Sequence, residues 1–192
     1  MDDSDPRAQR SRAALRAAVL ELAASQPVDD LMVAAICRRA EITRDTFYRH
    51  ATSPAALLAD ALAAEIDAIA PRERLDESER DLWEHVRGRA AVYRGAMNPS
   101  LSGTVRARIE QALRDALGEW VDEHPGALPD ALRHEPGGRD LAIAYAAGGT
   151  VAAIEHWLRG GGDDIDSAAR SVLAASPEWW LRSRGPVDRR KP

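Results

Sequence analysis

The sequence predicts an all-α protein, and three observations carry that reading. Alanine is abundant, with 37 residues, and basic charge is arginine everywhere except Lys191, so strong helix formers dominate. Aromatic residues make up only 5% of the chain, which leaves little of the material that strands favour. Apolar residues recur at helical spacing throughout, and no stretch shows the two-residue alternation of a half-buried strand. The layout predicted is an N-terminal three-helix unit with a helix-turn-helix over residues 7–52 and a larger helical domain over residues 53–185. Flexible tails flank them at 1–6 and 186–192, and the helices number about nine.

Leu15, Val19 and Leu22 form an i, i+4, i+7 stripe on a first amphipathic helix, Arg7 to Ser25, ended by Gln26-Pro27. Two short helices follow, Val33 to Ala40 and Arg44 to His50, separated by Glu41-Ile42-Thr43 and too small to stand without the first as a floor. Ser53-Pro54 opens the next helix, with Ser53 as cap and Pro54 at the first position, where its missing N–H costs nothing. Leu57, Leu58, Leu62, Ile66 and Ile69 line its inner face up to Ala70-Pro71. One stripe then runs Leu82, Val86, Ala90, Tyr93, Met97, and another from Leu101 to Val121. Three prolines and three glycines make residues 125–138 a loop with one short turn around Ala131. A long, mostly apolar helix spans Arg139 to Arg159, and a last one runs from about Asp164 to Leu181.

Composition excludes several classes. The chain has 192 residues and a single cysteine, Cys37, so no internal disulfide framework exists. The acidic start, Met-Asp-Asp-Ser-Asp, is unlike a signal peptide, and Leu141 to Ile154 is too short and glycine-containing to span a membrane. A cytoplasmic protein with no membrane partner is expected. The net charge of −5 argues against coating nucleic acid by bulk electrostatics, yet residues 7–52 carry eight arginines against five acids.

A short helix, a three-residue turn and a second short helix on an amphipathic floor form the helix-turn-helix plan, in which the second helix enters a major groove. Ile36 and Phe47 are spaced to bury inward, which leaves Thr43, Arg44, Thr46, Tyr48, Arg49 and His50 as the polar outer set, although the Tyr48 ring would also suit a core. Thr43 is a suitable N-cap for the second helix, Arg can read guanine edges, and Thr and Tyr anchor phosphates or touch thymine methyls.

The string Ile36-Cys-Arg-Arg-Ala-Glu-Ile-Thr-Arg-Asp-Thr-Phe-Tyr-Arg-His50, most recognisably Thr46 to His50, resembles the TetR family of transcriptional regulators. The specific resemblance covers about residues 7–60. It implies a homodimer that binds a near-palindromic double-stranded DNA operator, with a divergent helical domain binding a small-molecule effector, here unknown, and repression more than activation. Carried over, Thr43, Arg44, Thr46, Tyr48 and His50 lie at the DNA surface, with Arg49 beside them. The chain departs from the pattern at five positions. Glu41 stands where glycine is usual, Met32-Val33 replaces a polar cap, Ala51 an aromatic residue and Pro54 a basic one, which predicts fewer phosphate contacts on the same fold.

The larger domain contains no catalytic, P-loop or metal-binding string, so no enzyme activity, metal or cofactor is expected. His124 and His134 have the wrong spacing for a metal cluster and read as solvated, and Gly148-Gly149 reads as a place of close helix packing. Trp83, Tyr93, Met97, Trp120 and Tyr145 are the ligand-pocket candidates, though such residues equally fill cores. The wide apolar faces of the last two helices need a partner. The resemblance implies a four-helix dimer bundle there, with Ala147, Gly148, Val151, Ile154, Leu158, Val172 and Trp180 as interface candidates. A helical ligand carrier or protein-interaction module without operator binding is the competing reading, and a helical-bundle enzyme the third.

Overall fold

The computed structural model describes residues 5–69, 75–124, 126–161 and 164–176. Among these, ten α-helices and one 3-10 turn, Val28–Asp30, account for the regular structure, and there is no strand. Helix α1 (Pro6–Ala23) starts at Asp5, whose carboxylate accepts the Arg7 N–H at 2.9 Å, and buries Leu15, Val19 and Ala23. Helices α2 (Val33–Ala40) and α3 (Arg44–His50) lie on that floor, with Ile36 and Phe47 fully buried, as their spacing predicts. Arg39 ties α2 to α1 through a 2.5 Å ion pair with Glu21.

Helix α4 (Pro54–Asp67) is capped by Ser53, which accepts the Ala56 N–H at 3.1 Å, and carries Pro54 in its first turn. It packs against α1 on one side and most extensively against α7 on the other. Burial on both sides explains its composition: Leu57, Leu58, Ala59, Ala61, Leu62, Ala63 and Ile66 are all inside. Arg108 of α7 donates to Asp60 at 3.1 Å along the same contact.

The stripe expected as one helix from Leu82 to Met97 is two: α5 (Leu75–Gly88) and α6 (Ala90–Gly95), broken at Arg89. There the chain turns so that Arg89 grips Glu65 of α4 with both guanidinium arms, Nε donating to Oε2 at 2.8 Å and Nη2 to Oε1. This charge-assisted fork is not coded by apolar spacing. Glycine is required at 95, because a Cβ there would lie 2.9 Å from the Ala23 carbonyl and 3.2 Å from that of Gln26. Helix α6 therefore rests directly on the C-terminal end of α1.

Helix α7 (Gly103–Glu123) lies between α4 and α9, and the expected turn around Ala131 is the short helix α8 (Asp130–His134). Helix α9 (Gly138–Arg159) carries one acid in its apolar stretch, Glu155, which is buried, pairs with Arg106 at 2.7 Å and accepts the Leu101 N–H at 3.1 Å. Helix α10 (Ile165–Ala175) packs on α5 and is tied to it by Arg80 and Asp166 at 2.9 Å. Expected to reach Leu181, the helix ends at Ala175, where Ser176 turns to extended backbone at φ −78° and ψ 149°; residues 177–181 lie outside the described residues. One apolar core runs without interruption from Leu15 and Phe47 through Leu58 and Leu62 to Trp83, Ile109 and Ile154. Among the described residues, no helix is long and apolar enough to cross a membrane.

Candidate functional site

The outer face of α3 is assembled by its own side chains. The Thr43 hydroxyl accepts the Thr46 N–H at 3.3 Å, the two hydroxyls lie 3.0 Å apart, and Arg49 Nη2 donates to Thr46 Oγ1 at 2.7 Å. This chain holds the Arg49 guanidinium along the helix surface. Arg44 is exposed in the first turn, and Tyr48 is 59% exposed with its ring edge-on to Phe47 at 5.3 Å. Thr46 and His50 are half-buried at the flanks of the same face. Of the six predicted residues, Thr43, Arg44, Tyr48 and Arg49 are exposed and Thr46 and His50 half-buried, so Tyr48 is an outer residue and Phe47 alone of the helix is fully inside.

The turn between α2 and α3 bears out the expected difficulty. Glu41 has φ 56° and ψ 40°, among the described residues the only side chain in the left-handed region, and it still closes the helix end through the Ile42 N–H to the Cys37 carbonyl at 2.9 Å. Such a conformation costs a residue with a Cβ about 1–2 kcal/mol. Met32 caps α2 without a side-chain hydrogen bond and is 68% exposed, so a polar cap is missing at the edge of the basic face. Burial raises the pKa of the Cys37 thiol while the nearby Arg44 charge opposes it.

A cavity of about 80 Å³ lies among α4, α5, α7 and α9. Leu82, Leu113, Ile66 and the Trp120 ring give it an apolar wall, and Glu79 and Thr150 bring polar groups to it. The Glu79 carboxyl is buried, accepts the Trp83 indole N–H at 2.9 Å, and is pushed up to about 7 by loss of water, only partly offset by that hydrogen bond. The Trp120 indole N–H is buried without a partner. Sequence reading missed Glu79, although its place three residues before Leu82 puts an acid on the apolar face of α5.

The pocket candidates divide. Trp120 lines this cavity, whereas Trp83 and Tyr93 are core residues, 1% and 0% exposed, and Met97 packs at the core's edge. Trp83 acts on the cavity only through Glu79. Tyr93 instead joins His85 at 3.1 Å beside the Glu65–Arg89 pair, and burial, with Glu65 adding to it, drives its phenol pKa well up. Burial lowers the pKa of His85, against the opposing pull of Glu65. Tyr145 is 71% exposed and belongs to a separate open groove of about 650 Å³ between α9 and α10.

The interface candidates need correction. Ala147, Val151, Ile154 and Leu158 are buried inside the single chain, so they are not available to a second copy. Helix α9 is apolar on every side, and its inner stripe cannot be told from its outer one by composition. The outward stripe holds Leu141, Tyr145 and Gly149, with Gly148 and Val172 half-buried along the groove; Trp180 lies outside the described residues. Gly148 and Gly149 do not serve close packing within the chain, since a Cβ at Gly148 would meet nothing nearer than 4.0 Å and one at Gly149 nothing within 4 Å. His124 stacks on Trp120 at 4.5 Å, and His134 bonds the Asp130 carbonyl at 2.8 Å.

No protein-family model and no curated protein matches the chain. Solved structures do. The dihydroxyacetone kinase operon activator DhaS aligns with TM-score 0.62 at 13% identity, over 86% of this chain and 93% of its own. A TetR transcriptional regulator from Rhodococcus sp. RHA1 gives 0.61 at 15% identity, over 86% and 93%. A TetR-family transcriptional regulator from Streptomyces coelicolor gives 0.53 at 16% identity, over 88% and 91%. These likenesses take in the three-helix head and the helical body together, and the fold of this chain is that of TetR-family transcriptional regulators.

Proposed function

We propose that the protein is a TetR-like transcriptional regulator, a cytoplasmic binding protein and not a catalyst, that holds a near-palindromic operator as a homodimer and acts as a repressor. Residues 7–52 serve as the DNA-reading head, and residues 53–185 bind an effector and the second copy. The observation that carries this reading is the face of α3, where Thr43, Arg44, Tyr48 and Arg49 stand outward on a helix fixed from behind by Phe47. Arg44 is suited to a guanine edge or a phosphate, and the threonines and Tyr48 to phosphates or thymine methyls. The open groove flanked by Leu141, Tyr145 and Gly149 supports a second copy on the α9–α10 face, where small residues allow close approach.

The test is binding of the full chain to DNA flanking its own gene across a salt series, beside Arg44→Glu. Specific binding that weakens steeply with salt and is lost in a dimeric, folded Arg44→Glu protein is the expected result. Binding no tighter than to random DNA, there and in a genome-wide selection of sites, would overturn the regulator in favour of a ligand carrier.

A further inference from the structure

The cavity beside Glu79 is specific in its chemistry. Among the described residues that line it there is one acid and no base, and the remaining wall is apolar apart from Ser78 and Thr150. Among the described residues, this buried carboxyl has a single indole N–H as its hydrogen-bond donor and no counter-charge of the kind that stabilises an ionised group away from water. The Trp120 N–H is likewise buried without a partner, but it is closed to water and presents no donor to the cavity. A ligand that relieves Glu79 must carry positive charge. An anion would face Glu79 with no basic side chain to offset it. Size sets the remaining limit, since about 80 Å³ is room for about six water-sized spheres at roughly 12 Å³ each.

We propose that this cavity binds a compact organic monocation, a short alkyl amine, with the ammonium on Glu79. As the identity of the effector, this rests on the regulator reading above; as a binding site, it stands without DNA. Glu79 is half-ionised near pH 7 in the empty protein, so the ammonium must draw it into the carboxylate form. No other charged group faces it from α4, α7 or α9 among the cavity-lining residues described, and on α10, which also packs on α5, the charges are Asp166, paired with Arg80, and the exposed Arg170.

Calorimetry and tryptophan fluorescence on the full chain, without DNA, would compare 4-amino-1-butanol with two analogues of similar size, neutral 1,4-butanediol and anionic 4-hydroxybutanoate. The amine is expected to bind at least about tenfold more tightly than the diol, and the anion not at all. Glu79→Gln should erase the preference for the amine while leaving diol binding in place. In the wild type, affinity for the amine should fall about tenfold per pH unit below about 7 and level off above it, a readout that does not depend on the variant folding. Equal binding of all three compounds, tighter binding of the anion, no amine binding at about 10 mM, or a pH-independent affinity would each overturn the site. Amine binding that leaves operator affinity unchanged would overturn only its role as effector, and absence of operator binding would overturn the regulator while the site stands.

Discussion

At Glu41 the backbone takes a conformation that glycine adopts freely, and the acid also sits at the C-terminal end of α2, where negative charge opposes the helix dipole. Glu41→Gly should therefore stabilise the protein by about 1 kcal/mol after the extra entropy of glycine is subtracted, raising Tm by about 3 °C in a calorimetric scan. Removal of an acid beside the reading face should tighten operator binding as well, seen in the same titration that tests Arg44. Glu79 makes a pH prediction of opposite character to a salt-bridged acid. Its folded pKa of about 7 exceeds the ordinary value of 4.5, so between those limits the folded state holds a proton that the unfolded state has lost. Stability should thus decline as pH rises from about 4.5 to 7 and then level off, the total being about 3 kcal/mol. Glu79→Gln should flatten that slope in urea melts and leave the variant the more stable of the two at pH 8. The exposed side of α3 was legible in the sequence, because the Thr43 cap and the inward Phe47 fix the phase of the helix. Glu79 was not, since an acid within an apolar stripe draws attention only once the stripe is known to face inward.

The starts of α1, α3 and α4 follow from local chemistry, with Asp5, Thr43 and Ser53 each accepting a first-turn N–H. The break between α5 and α6 does not, because it depends on Glu65, which lies 24 residues from Arg89 along the chain. Nor was the inner side of α9 readable, for a helix apolar all round presents two plausible faces and only packing against α7 chooses between them. The α6–α1 contact gives a prediction at this scale. Gly95→Ala would push a methyl group against two backbone carbonyls that cannot rotate away, and should lower stability by about 1–2 kcal/mol despite the better helix propensity of alanine. Gly88→Ala, with nothing within 4 Å, should be neutral or stabilising by up to about 0.5 kcal/mol in the same denaturant titration.

The continuous core makes head and body one packed unit, with α4 in common. Association belongs to the same scale. Leu141 and Tyr145 stand exposed on the outer stripe of α9, and Tyr145→Arg should convert a dimer into a monomer by light scattering while the helical circular dichroism is unchanged. Operator binding should fall with it, because one head meets only half a site. Heredity adds a last consequence to the left-handed turn of that head. Glutamate and glycine codons differ at the middle base alone, so relief of Glu41 lies a single transition away. A genetic selection for tighter operator binding should recover Glu41→Gly early.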